Sequence, residues 1–345
     1  METTGTPTQN RTPLGRVIGL SLGLAVIVSV VTIAFAWPSS NTGPEDVPIA
    51  VIGPPEAAEQ VAERLDTAQP GGFDVVEAAG PDEAVEMIEE REVYAALAVG
   101  PEGVDLYTAS AASPAVARLV GGIAEQIAAG MGEAAGQPGA VQVTTQDVVP
   151  MPEDDPNGAG LAASALPMAA GGIIVAVLIG TAVRGSGRQA TAAILGPIAV
   201  GAAVAGILFW LGSVEGDYWS VAGAITLTLL AASWAVLGLS KLLGRAGTAI
   251  GAVLIMLVGN PLSGLTSAPE MLPAPWGEIG QYLTPGAGAT LLRSVSFFDG
   301  NGATTAALVL AAWLAGGIVL YVIGAVRSRV SEVGAAESEP VAASV

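Results

Sequence analysis

The segment from Gly259 to Phe298 carries the residues with the most unusual chemistry for their setting: prolines at 261, 269, 273, 275 and 285, and a single base, Arg293. A helix cannot run through so many prolines, because each removes a backbone donor and clashes with the preceding turn. The segment is also too apolar for a plain loop. Backbone that leaves the helix at membrane depth must be buried in protein or face a water-filled cavity, which predicts a re-entrant or interfacial pair of short helices over 259–298. Gly259, Asn260, Pro261, Pro273, Pro285 and Arg293 are therefore the candidate outer gate or exit, with Arg293 expected to pair with Glu270 or Glu278. The plainer alternative is a structural cap with an interfacial arginine.

Other reactive groups are few. The chain lacks histidine and cysteine, which excludes disulfides, thiolate chemistry, the usual catalytic triads and most zinc sites. Its one lysine, Lys241, follows Gly-Leu-Ser, and no G-x-x-x-x-G-K-[ST] occurs, so the chain cannot be its own P-loop ATPase. The acids Glu83, Glu86, Glu89, Glu90 and Glu92 read as one solvated helix face, since Val85 and Ile88 point the other way. Glu153-Asp154-Asp155 lacks the spacing of a calcium loop and reads as a charged linker. No catalytic residue, metal or cofactor is expected. Twelve scattered bases offer no stripe for phosphates, so a nucleic-acid partner is not expected either.

The elements that hold these residues follow from the uneven charge. Of 31 acidic residues, 22 lie between Trp37 and Gly160 with three of the twelve bases, and this segment accounts for the whole net charge of −19. The rest is dominated by long apolar runs. Val17–Ala36 is long enough for a helix to cross ~30 Å of hydrocarbon. A cleaved signal peptide ending at Ala34-Phe35-Ala36 is the competing reading, disfavoured by the length of the apolar core. Five further runs, Leu166–Val183, Ala190–Leu211, Ser220–Leu239, Thr248–Leu265 and Ala303–Val326, contain no Asp, Glu, Lys or Arg. A proton-driven carrier is disfavoured, because such a carrier needs an ionisable group within the membrane.

Arg11, Arg16, Arg184, Arg188, Lys241, Arg245, Arg327 and Arg329 all fall on one side of a six-span arrangement, which the positive-inside rule assigns to the cytoplasm. The expectation is a polytopic α-helical membrane protein with six transmembrane helices and both termini cytoplasmic. Residues 1–16 form an inner tail, 17–36 the first span, 37–160 an external domain, 161–326 the remaining spans, and 327–345 a disordered inner tail. Low lysine with heavy Ala, Gly and Val usage fits a bacterium with GC-rich DNA, hence a bacterial cell membrane.

Within 37–160 the pattern turns mixed. Val47–Ile52 and Phe73–Glu77 read as strands, and Pro55–Thr67 and Pro81–Glu92 as helices, the latter with proline and acids in its first turn. Val93–Val99 and Val104–Tyr107 read as a hairpin around Gly100-Pro101-Glu102-Gly103. A helix over Ser113–Ala135 and a strand at Val141–Val149 complete a small mixed α/β domain.

Small residues recur at helical spacing, notably Gly15, Gly19 and Gly23, and such faces let helices approach closely in lipid. They form a candidate helix-packing face, either for packing within the chain or for a dimer.

One span, an external insert and five more spans resemble the ABC-2-type permease group, including its phage-infection-protein-like membrane relatives. The likeness is carried by Gly259, Pro261, Gly264, Leu272-Pro273, Pro285 and Arg293, and by VPIAVIG, AALAVGPEGV and the Ser113–Ala135 helix of the insert. The resemblance implies the permease subunit of an exporter, a homodimer or heterodimer moving an amphiphilic or lipid-like cargo outward. A separate cytoplasmic ATPase would bind the ATP. Two departures stand out: 1–13 is rich in Thr and Pro rather than an amphipathic helix, and 184–189 offers only RGSGRQ as a coupling helix. The rival expectation is a membrane-anchored scaffold or receptor whose acidic external domain binds an envelope partner.

Overall fold

The computed structural model describes residues 12–100 and 103–338. The expected tails at 1–11 (with Arg11) and 339–345, and the turn residues Pro101 and Glu102, lie outside the described residues. The protein is mostly helical with one small sheet. Among the described residues five helices are long and apolar enough to cross a membrane, and the chain is a multi-pass membrane protein.

These five are α1 (Leu14–Ser40) and, after the sheet domain, α5 (Ala159–Ala182), α6 (Ser186–Trp210), α7 (Tyr218–Leu243) and α11 (Ala303–Ser338). Between α7 and α11 the chain forms α8 (Arg245–Ala252), a π-helical continuation (Val253–Gly259), α9 (Trp276–Gln281) and α10 (Thr284–Phe297). The expected span Thr248–Leu265 thus begins three residues earlier and stops at Gly259, where Asn260-Pro261 ends it. Its last turns are π rather than α: the Asn260 amide bonds back five residues to the Ile255 carbonyl at 2.9 Å. The expected disordered tail also needs correction, since α11 stays helical to Ser338, well past Val326.

Helix α7 is the hub of the membrane half. Lipid supplies no hydrophobic force between helices, so close approach depends on small residues. Each neighbour of α7 brings a glycine to it. A Cβ built on Gly172 of α5 would lie 2.5 Å from Ala232, and on Gly201 of α6 2.2 Å from Thr226. On Gly288 of α10 it would meet Thr228 at 2.4 Å, and on Gly317 of α11 the Trp234 backbone at 2.4 Å. Gly15, Gly19 and Gly23 of α1 have nothing within 4 Å of such a Cβ. Helix α1 touches the rest at its sheet-side end, where Pro38 is buried and Trp37 meets Trp276 edge-on at 6.5 Å, and along the π-helical segment.

The sheet domain follows its sequence pattern closely. It contains β1 (Val47–Ile52), α2 (Pro55–Ala68), β2 (Phe73–Ala78), α3 (Pro81–Glu89), β3 (Ala95–Gly100), β4 (Gly103–Thr108), α4 (Pro114–Ala134) and β5 (Gln142–Asp147). The strand order is β2-β1-β3-β4-β5. Strands β2, β1 and β3 run parallel, β4 turns back against β3, and β5 is parallel to β4. Strand side chains alternate between faces. Ile49, Val51 and Leu97 pack with Leu65, Val120 and Ile123 of α2 and α4. Ala50 and Ala96 point the other way, toward Ala84 and Ile88 of α3, and that core continues without a gap into Leu161, Leu229 and Leu292 of the membrane half.

Candidate functional site

The core runs unbroken from domain to membrane half, and the turn that follows α3 carries one part of the joint. Arg91 sits just beyond α3 with φ +63°, a left-handed residue of the kind that closes helices and is usually glycine or asparagine. That turn aims its guanidinium into the membrane half. It donates to the Thr290 carbonyl at 3.3 Å and the Ser294 Oγ at 2.5 Å, and stacks 5.1 Å from the centre of the Phe298 ring. Asn301 Nδ2 donates to the Glu89 carbonyl at 3.1 Å, satisfying the exposed end of α3.

A second set of bonds joins the domain to the proline-rich segment 269–275. The Tyr94 hydroxyl donates to Glu270 Oε2 at 2.7 Å, and the Glu45 amide to the Glu270 carbonyl at 2.8 Å. The Gly43 amide donates to the Met271 carbonyl at 3.2 Å, and Glu45 Oε2 accepts from the Ala274 amide. Burial pushes the Tyr94 phenol far above its ordinary range, and the Glu270 carboxylate adds to this, so Tyr94 remains the proton donor. Burial also lowers the Arg91 guanidinium, an effect opposed by Tyr94 and Glu270. Between these two sets of bonds lies a pocket of about 390 Å³, with Arg91, Tyr94, Glu270, Glu278, Gln281 and Thr290 in its wall.

The sequence-predicted residues separate into two groups. Gly259, Asn260 and Pro285 come together: a Cβ on Gly259 would lie 2.7 Å from Pro285 Cδ, so the break after the π segment abuts the start of α10. Asn260 and Pro285 share the wall of a small cavity of about 10 Å³ with Thr228, Ser263 and Thr284. Pro261 sits at the break itself, whereas Pro273 lies in the 269–275 segment bonded to the sheet domain, beside Ala274. Arg293 is 4 % exposed. The expected pairing with Glu270 or Glu278 is not its hydrogen bond; Nη2 donates to the Leu265 carbonyl at 2.9 Å, and Glu270 is occupied by Tyr94.

Arg91 and Tyr94 were not among the expected site residues. The available signal was a base closing an otherwise acidic helix. Its partners lie about two hundred positions away in sequence, which hides them from any local pattern. Asp155 also does more than keep a linker in water: at 7 % exposure, its carboxylate accepts from the Ala159 and Gly160 amides at 2.7 and 2.8 Å and so caps α5.

The buried polar side-chain atoms without a hydrogen-bond partner among the described residues are Asn260 Oδ1, Thr284 Oγ1, Arg293 Nε and Ser296 Oγ. All four fall within 259–298. Native proteins pair the large majority of such atoms, and each exception calls for an explanation. Comparison with protein-family models, with curated proteins and with solved structures finds no match for this chain.

Proposed function

We propose that this chain is the membrane subunit of an exporter, passing an amphiphilic cargo outward under the power of a separate ATPase, with the 259–298 element as its outer gate. The observation that carries the reading is the concentration of unpaired buried polar atoms in that one element. A polar group left unpaired away from water costs about 1–3 kcal/mol. Several of them make the observed arrangement one that another arrangement, or a cargo, can improve upon. A cap selected only for stability would have no reason to gather them. The bonds from Arg91, Tyr94 and Glu45 would couple movement of the gate to the sheet domain.

The chain crosses the bilayer six times in this reading. Arg245 lies in one groove with Thr181 at the far end of α5, while Glu270 contacts the sheet domain. The fifteen residues of α8 and its π extension rise about 22 Å, and the turns after Asn260 complete the crossing. The bases of 183–189 and 241–247 then mark the cytoplasmic side, with the sheet domain external. The resemblance to ABC-2-type permeases fits this layout. The short inner connections, Val183–Gly185 and Gly244, give an ATPase little to hold and favour the rival reading of a scaffold or receptor. The helical run of α11 past Val326, about 18 Å, favours the exporter.

Affinity purification of the full chain from its native membrane tests the proposal. A P-loop ATPase should copurify, and Pro261→Ala should slow cargo release from reconstituted vesicles while ATPase binding persists. Purification of an intact, correctly folded chain without any nucleotide-binding subunit would rule out the ATP-driven mechanism.

A further inference from the structure

Away from the gate, a groove of about 590 Å³ runs between α5, α7 and α8. Its wall changes character along its length. At the far end it is polar and cationic, with Arg245, Ser240 and Thr248; toward the membrane centre it is formed by Ile173, Val236 and Ala252. From Thr181 to Ile173 along α5 is eight residues, or about 12 Å of helix. One leaflet of a ~30 Å hydrocarbon layer is about 15 Å deep. The groove is therefore the length of one acyl chain in one leaflet, with its charged end where a headgroup would lie.

The charge at that end is one-sided. Connections 183–189 and 241–247 contain Arg184, Arg188, Lys241 and Arg245 and no Asp or Glu. Lys241 is engaged elsewhere, its Nζ 5.7 Å from the centre of the Tyr321 ring. The Arg245 side chain is exposed at the groove mouth and carries no hydrogen bond or ion pair among the described residues. We infer that this groove is a binding site for an anionic phospholipid, with one acyl chain along α5 and α8 and the headgroup phosphate on Arg245. The inference rests on membrane embedding and charge complementarity, and is independent of the export reading. The similar groove between α7, α8 and α11, about 530 Å³ and lined by Leu254, Ala312 and Trp313, has no charged residue in its wall to select a headgroup.

Native mass spectrometry of the full chain, titrated with phosphatidylglycerol or with phosphatidylcholine of the same chains, tests the site. Phosphatidylglycerol should be retained in preference, with one tight equivalent per chain. Arg245→Gln should weaken that equivalent about fivefold, the worth of one base beside an anionic headgroup, and leave phosphatidylcholine unchanged. Ala249→Trp, which fills the groove, should weaken both lipids. Lys241→Gln should have a smaller effect than Arg245→Gln. Equal retention of the two lipids, equal effects of the two charge variants, or no effect of Ala249→Trp in a chain that still melts cooperatively would overturn the inference. So would a cross-link between two copies through cysteine at Ala249, which would place a second chain in the groove.

Discussion

Helices α1 and α7 have nearly the same length, 27 and 26 residues, and both are apolar enough to span a membrane, with mean hydropathies of 2.6 and 1.8. Their surroundings are opposite. Of the apolar stretch long enough to cross the membrane, 78 % is buried within the chain in α7 and none in α1. The more apolar helix is the one left to lipid. Hydropathy reports whether a helix enters the bilayer; whether it packs depends on small residues meeting small residues on a partner. The glycines of α5, α6, α10 and α11 meet Ala232, Thr226, Thr228 and the Trp234 backbone, whereas those of α1 meet nothing in this chain.

The largest effect should come from blocking one of these close approaches. Gly317→Leu drives a branched side chain into the α7 backbone, where even a Cβ would sit 2.4 Å from the Trp234 carbonyl carbon. Overpacking typically costs 1–3 kcal/mol, and collision with backbone rather than a movable side chain places this case at about 3 kcal/mol or more. Unfolding of the detergent-solubilised chain by SDS titration measures it. A loss below about 1 kcal/mol would mean that α7 is not the hub.

A smaller loss is expected from the polar fastening of α11 to α6, beside its ring contact with α7. Tyr321 of α11 meets Trp234 of α7 edge-on at 5.5 Å, and its hydroxyl donates to the Ser186 carbonyl at 2.7 Å, with Gln189 Oε1 at 3.1 Å. Tyr321→Phe keeps the ring contact and removes the hydroxyl. The expected cost is about 1 kcal/mol in the same titration, and an unchanged midpoint would assign the fastening to ring packing alone.

Much of this organisation was legible in the sequence, and the exceptions share a cause. The sheet domain could be read because alternation, proline at helix starts and glycine turns are local signals; Val47–Ile52 and Phe73–Glu77 carry theirs within a few residues, the second ending one residue later in the structure, at Ala78. Apolar runs revealed the long helices for the same reason. Partner choice was not local. The Arg91–Ser294 bond spans two hundred positions, and the Arg293 guanidinium goes to a carbonyl because the expected acid, Glu270, is taken by Tyr94 from another domain. Within 259–298, the proline break at 261 was visible, but its docking against Pro285 depends on Gly259 having no side chain.

The smallest effect tests the other side of the comparison. Gly19→Leu on α1 adds an apolar side chain where nothing lies within 4 Å, and leucine is a better helix former than glycine. Stability of the dilute, monomeric chain should stay within about 0.5 kcal/mol of the parent. If the Gly15, Gly19 and Gly23 face joins two copies, the same substitution should lower cross-linking through cysteine at Gly23 in vesicles, because the added side chain holds the helices apart. The chain has no native cysteine to confuse that measurement. A clear stability loss at high dilution would instead mean that α1 docks against its own chain. The contrast with α7 would then be one of degree, since an extra leucine can cost stability only where a helix has close neighbours to displace.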